Sequence, residues 1–222
     1  MHPGTAHPPA SGDGGGTGLA AQLWRQNLDV ARRCLEHPFV QGLGRGDLPR
    51  DRFAWYVGQD ANFLEAFARA YALALAKAPD LETMTALRDL LEGVLDELRL
   101  HQGYAARWGV DLRPAPALAT RAYTGFVLDV AWSRPLGAIA AAMTPCMRLY
   151  AYLGRSLADR VAPDNPYREW VTTYGSPAFE GLARRLEALL DRWHPGVEDV
   201  AALYRTAMEL EFAFFDAAWR AA

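Results

Sequence analysis

Cysteine is scarce in this chain: Cys34 and Cys146 are the two in 222 residues. Neither belongs to a CxxC pair or to a cysteine–histidine spacing that would hold structural zinc, so no metal-stapled fold is expected. A disulfide between them stays open, with a reduced pair the expectation for a helical chain of enzyme size. Long apolar runs are missing too. No stretch approaches the roughly 20 residues of a membrane helix. The N-terminus has no basic start followed by an apolar segment, so no membrane association is expected and the protein is placed in the cytoplasm. A surplus of charge is also lacking. The net charge is -3, and basic residues come as pairs (Arg32 with Arg33, Arg184 with Arg185) among acids, which leaves no patch for nucleic acid. No stretch alternates in the manner of a strand, and no repeat of fixed period occurs.

What is present is helical period. Residues 1–18 are half glycine and proline and read as a disordered tail. Residues 19–222 read as one all-α domain, a multi-helix bundle of about eight helices. Leu23, Trp24, Leu28, Ala31 and Leu35 form one face of a first helix ending before His37-Pro38. The glycine-rich segment from His37 to Gly46 lacks phosphate-binding spacing and reads as a turn. Asp47 and Pro49 offer a cap and a first position for a helix to Lys77. Another spans Asp80 to Trp108, with Leu81, Met84, Leu87, Leu91, Val94 and Leu98 as its stripe. Later helices are expected over Leu118–Trp132, from Pro135 to the prolines at 163 and 166, over Tyr167–Tyr174, from Ser176-Pro177 to Trp193, and from Val197 onward.

The stretch Thr144-Pro145-Cys146-Met147-Arg148-Leu149-Tyr150 draws the eye first. Proline cannot donate to the carbonyl four residues back, so the helix kinks or restarts there. In the restart reading Thr144 is an N-cap, Pro145 the first helical residue, and Cys146 faces the positive end of a helix dipole, which lowers a thiol's pKa. Tyr150 lies over the same face, one turn on. The plainer alternative is that Cys146 is a small core residue.

Polar residues on apolar faces add to this. Asp60 sits among Tyr56 and Phe63, and a carboxylate buried there needs a partner, either a substrate amino group or ring nitrogen, or an Arg or Tyr across the bundle. Glu211 falls near Phe214 and Phe215, whereas Glu209 projects about 200° away and is expected in solvent. Glu97 and His101, four apart, suit a hydrogen-bonded structural pair better than a metal site. Di-iron bundles need two Glu-x-x-His pairs, which the chain does not supply. Tyrosines need partners for their hydroxyls, and Tyr123, Tyr150 and Tyr174 beside two acids and a thiol have the composition of an active site.

The order Gln59-Asp60-x-x-Phe63, Ala122-Tyr123, Thr144-Pro145-Cys146-x-x-x-Tyr150, Trp170-x-x-x-Tyr174 and Leu210-Glu211-x-x-Phe214-Phe215-Asp216 resembles the TenA family, thiaminase II, in its cysteine-containing branch. The resemblance runs from about Leu19 to Trp219. It implies a haem-oxygenase-like helical bundle, a homotetramer with no haem, metal or other cofactor. The implied reaction releases ammonia from 4-amino-5-aminomethyl-2-methylpyrimidine to give the hydroxymethyl pyrimidine for thiamine salvage. Thiamine cleavage to pyrimidine and thiazole is a slower side activity. Carried onto this chain, Cys146 is the nucleophile, Asp60 binds the ring nitrogen and exocyclic amine, and Glu211 is the acid/base. Phe63 stacks on the small-molecule substrate, which Tyr123, Tyr150 and Tyr174 orient. Two other functions stay in view: an oxidase of the same bundle superfamily, and a non-enzymatic regulator or binding protein.

Overall fold

The computed structural model describes residues 17–221, so most of the expected tail lies outside the described residues. Among those described there are ten α-helices and no strand. They are α1 (Leu19–Gln26), α2 (Leu28–Glu36), α3 (Pro38–Arg45), α4 (Arg50–Ala76), α5 (Leu81–Trp108), α6 (Leu118–Ser133), α7 (Leu136–Ala158), α8 (Arg168–Tyr174), α9 (Pro177–Trp193) and α10 (Val200–Arg220). None of these helices is long and apolar enough to cross a membrane.

The bundle is built around α7. Nearly every residue from Leu136 to Tyr150 is buried, and α8, α9 and α10 pack against it while α4 packs on α5 and α6. A helix that is apolar all round belongs in a core, and the run Gly137–Met143 has few bulky side chains to hold neighbours off. Gly154 shows why size matters: a Cβ there would collide with the backbone of Tyr174 and Gly175. That close approach docks the end of α8 onto α7 and so places Tyr174. Each large apolar side chain enclosed in this way contributes about 1.5–3 kcal/mol.

Several expected elements differ. The first helix is split at Asn27, whose side-chain amide donates to the Leu23 carbonyl at 2.8 Å and whose backbone N–H turns back to Trp24. An asparagine offering the backbone such a local bond competes with helix continuation. The segment expected as a turn after His37 is helix α3. His37 Nδ1 accepts from Phe39 N–H at 3.2 Å, Pro38 takes the first position, and Gly46, at φ 82°, ends the helix in the left-handed region. Asp47 does not cap α4; it pairs with Arg45 at 2.9 Å, and Pro49 holds the cap position. On α5 the buried apolar stripe begins only at Leu87, and Leu81 (77 % exposed) and Met84 face solvent. The last helix begins at Val200, three residues after the expected start.

The largest departure is at Pro145. Helix α7 runs through it without restarting. Thr144 is not a cap: its hydroxyl donates to the Ala140 carbonyl at 2.7 Å, inside the same helix. Proline forfeits one backbone hydrogen bond there, while dense packing on every side of α7 holds the helix together. Cys146 therefore sits mid-helix, without the dipole of a helix start.

Candidate active site

Five helices deliver side chains to one small pocket. Asp60, Phe63, Leu64 and Phe67 come from α4, Glu97 from α5, Cys146, Met147 and Tyr150 from α7, Tyr174 from α8 and Phe179 from α9. The empty space among them is about 270 Å³ when the solvent-open part is included, and the enclosed part has room for about one water. Five of the seven residues expected at a site line it. The other two, Tyr123 and Glu211, stand directly behind. Tyr123 donates to Glu211 Oε1 at 2.7 Å, its ring lies 4.5 Å from that of Phe63, and Glu211 is hydrogen-bonded to the Cys146 thiol. All seven converge.

Glu211 is 2 % exposed. Burial raises its carboxyl from 4.5 to about 8; the charges of Asp60 and Glu97 act the same way, and the bonds from Tyr123 and Cys146 act against it. At neutral pH it is largely a protonated acid. Glu209 behaves as its helical position predicts, reaching solvent and pairing with Arg33 at 3.2 Å and Arg205 at 2.7 Å. Cys146 reverses its expected chemistry. Burial pushes its thiol well above the ordinary value, and the charges of Glu211, Glu97 and Asp60 push further. A mid-helix sulfur among carboxyl groups has nothing to hold a thiolate in the resting site. Cys34 is likewise buried, and both cysteines are free thiols.

Asp60 is neither unpaired nor matched with an arginine or tyrosine. His101 Nε2 lies 2.8 Å from Asp60 Oδ2, and His101 Nδ1 lies 3.0 Å from the backbone carbonyl of Glu97. A carbonyl only accepts, so Nδ1 carries a proton, and a second proton lies between Nε2 and Oδ2. Burial opposes the imidazolium, but the hydrogen bond and charge of Asp60, with the charge of Glu97, raise His101 above its ordinary pKa. The pair is thus an ion pair across α4 and α5. Glu97 and His101 are joined as expected, though through the Glu97 backbone; the Glu97 carboxylate accepts instead from the Tyr174 hydroxyl.

Tyr56, Gln59 and Trp170 were named from the sequence but given no role as supports. Trp170 Nε1 donates to the Tyr56 hydroxyl at 3.3 Å, and Tyr56 and Tyr150 hydroxyls are 3.1 Å apart, a chain that orients Tyr150. Gln59 accepts from Ala117 N–H at 2.8 Å and from the Thr120 hydroxyl at 2.6 Å, fixing the start of α6 and with it Tyr123. The signal for Tyr56 was its place one turn before Asp60. For Glu97 the local signal was its pairing with His101; its contact with Tyr174, distant in sequence, left none. Among the described residues no group of three or more His, Cys, Asp and Glu is arranged to hold a metal ion.

This is an all-α bundle that brings carboxyls, a thiol and tyrosines to one small pocket, and known structures share its fold. It superposes on a TenA homologue from P. horikoshii OT3 with a TM-score of 0.85 and 29 % identity, covering 93 % of this chain and 100 % of that one. A domain of unknown function from Shewanella denitrificans with a haem-oxygenase-like fold matches with a TM-score of 0.70 at 14 % identity, over 90 % of this chain and 91 % of that one. The chain belongs to the TENA/THI-4/PQQC family, whose model matches residues 24–221. It is 34 % identical to an aminopyrimidine aminohydrolase of Halalkalibacterium halodurans, over 90 % of this chain and 95 % of the relative. It is also 34 % identical to the bifunctional TH2 protein, mitochondrial, of Arabidopsis thaliana; that match covers 95 % of this chain but spans only 38 % of the longer relative.

Proposed function

We propose that the protein is a hydrolase of thiamine-related aminopyrimidines. It converts 4-amino-5-aminomethyl-2-methylpyrimidine and water to the 5-hydroxymethyl pyrimidine and ammonia, in thiamine salvage, and cleaves thiamine more slowly. Its closeness to an aminopyrimidine aminohydrolase supports the substrate class, and one observation carries the mechanism: the buried Glu211, its carboxyl raised to about 8, is hydrogen-bonded to the Cys146 thiol directly behind the pocket that Cys146 and Asp60 line.

The chemistry follows from that contact. Asp60, fixed by His101, binds the ring nitrogen and exocyclic amine, and Phe63 stacks on the ring. Glu211 enters as the acid and protonates the ring, which makes its carbon electrophilic. The carboxylate left behind takes the Cys146 proton, so the thiolate forms only as it attacks. Sulfur adds to the ring carbon, and the electron pair displaced through the ring expels the leaving group from the side methylene as ammonia. The departing ammonia takes the proton that Glu211 drew from the thiol and leaves as ammonium, and the restored Glu211 carboxylate deprotonates a water that adds to the exposed methylene. The C–S bond breaks with its electron pair on sulfur, the ring regains aromaticity, and its nitrogen returns the proton to the thiolate. Tyr123 orients Glu211 throughout, while Tyr150 and Tyr174 orient the thiol and the ring. A homotetramer in the cytoplasm completes the proposal, and the elution volume of the purified chain checks its assembly.

The test is product analysis by mass spectrometry with the purified protein. Equimolar hydroxymethyl pyrimidine and ammonia from the aminomethyl substrate support the reading. Absence of turnover with both that substrate and thiamine overturns it.

A further inference from the structure

Glu97 takes no part in those steps, yet α5 brings it into the same pocket as Asp60 and Cys146. The Tyr174 hydroxyl donates to its Oε1. One such bond orients a carboxylate and leaves most of its four lone-pair sites open. The walls next to it are aromatic. Tyr150 and Tyr174 meet edge to face with ring centroids 4.8 Å apart, and Tyr174 meets Phe179 at 5.0 Å and 89°. A carboxylate in a pocket lined by aromatic rings is a composition that receives organic cations. The pocket is short of positive charge of its own, since His101 is committed to Asp60 at 2.8 Å.

The substrate supplies the complement. This step rests on the aminopyrimidine reading above. With Asp60 on the exocyclic amine, the side methylene is attached to the neighbouring ring carbon and leaves the ring on the Asp60 side. Glu97 is the further carboxyl there, next to Asp60, whose charge joins burial in raising it to about 7. Both proposed substrates carry a positive charge on that methylene: an amine of ordinary basicity is protonated at neutral pH, and the thiazolium of thiamine is quaternary. A cation docked beside Glu97 favours its ionised form.

We infer that Glu97, oriented by Tyr174 and framed by Tyr150 and Phe179, is a specificity-determining residue that selects pyrimidines bearing a positively charged leaving group. It transfers no proton; it accepts a hydrogen bond from the ammonium, or lies against the thiazolium, and holds the cleaving bond in place. Neutral analogues lose this contact.

Calorimetric binding to Cys146→Ala protein, which holds ligand without turnover, tests this at pH 7. The probes are the cationic aminomethyl pyrimidine and the neutral hydroxymethyl pyrimidine. We expect a preference of about tenfold or more for the cation, equivalent to about 1.4 kcal/mol. Adding Glu97→Gln should weaken the aminomethyl ligand alone and bring the ratio to about one. An absent preference, an unchanged ratio, or equal weakening of both ligands overturns the inference. Should the Gln variant fail to fold, Glu97→Asp decides: retraction of the carboxylate by one methylene must lower the ratio, and an unchanged ratio overturns the inference. If neither pyrimidine binds the parent, the functional reading fails, and this inference with it.

Discussion

Burial of Glu211 should be measurable as a pH-dependent cost to stability. The perturbation is Glu211→Gln, which replaces the carboxyl by a neutral group of the same shape. In the folded protein the carboxyl titrates at about 8 against 4.5 in the ordinary environment. Between those values the folded state keeps a proton that the unfolded chain has released, so wild-type stability falls as pH rises from about 4.5 to about 8. Each pH unit in that window is worth about 1.4 kcal/mol. The variant lacks this loss. Its stability relative to wild type should therefore gain about 3 kcal/mol between pH 4 and pH 7, levelling near about 5 kcal/mol by pH 9. Glu97, also raised, loses stability in the same direction but does so in both proteins and largely cancels. Urea unfolding of both proteins at pH 4, 5.5, 7 and 9 measures the gap. A constant offset would reflect altered hydrogen bonding to Tyr123. A gap that fails to widen with pH refutes the assignment of Glu211 as a buried acid.

Other consequences are open to the same kind of test. Tyr123→Phe removes the 2.7 Å bond to Glu211; kcat/KM should fall about tenfold, the worth of a hydrogen bond to a charged group. Because that bond holds the Glu211 pKa down, the alkaline limb of the rate profile should also move to higher pH. His101→Ala leaves Asp60 buried without its cation and should cost about 3–5 kcal/mol in chemical denaturation. Gly154→Ala sets a methyl group against the backbone at Tyr174 and Gly175; thermal unfolding should show a loss of about 1–3 kcal/mol, and activity should fall as Tyr174 shifts.

How much of this was legible in the sequence depended on where the deciding partner lay. Helical period was enough to place Asp60, Phe63 and Glu211 on inner faces and to send Glu209 to solvent, because each of those is a one-helix question. Helix α3 was hidden by its buried glycines Gly42 and Gly44, which look like turn residues until the packing around them is known. The environment of Cys146 was misread for a related reason. Local rules make Thr144-Pro145 a helix start, but Thr144 bonds backward to Ala140, and the helices around α7 outweigh the one bond proline removes. With the helix continuous, the expected dipole vanishes, and burial, reinforced by carboxyls from α4, α5 and α10, raises the thiol instead of lowering it. Glu97 was visible as a pair with His101, but its carboxylate is directed by Tyr174 across the bundle. Contacts of that range leave no mark on local spacing.

The central claim is that the Cys146 thiol, armed by Glu211, performs the chemistry. Ammonia release from 4-amino-5-aminomethyl-2-methylpyrimidine, measured side by side for wild type and Cys146→Ala, tests it most directly. Turnover by the wild type and a loss of roughly 100-fold or more in the variant are expected, the scale of removing a covalent or acid/base group. Equal turnover by the two proteins would make Cys146 a packing residue and contradict the mechanism.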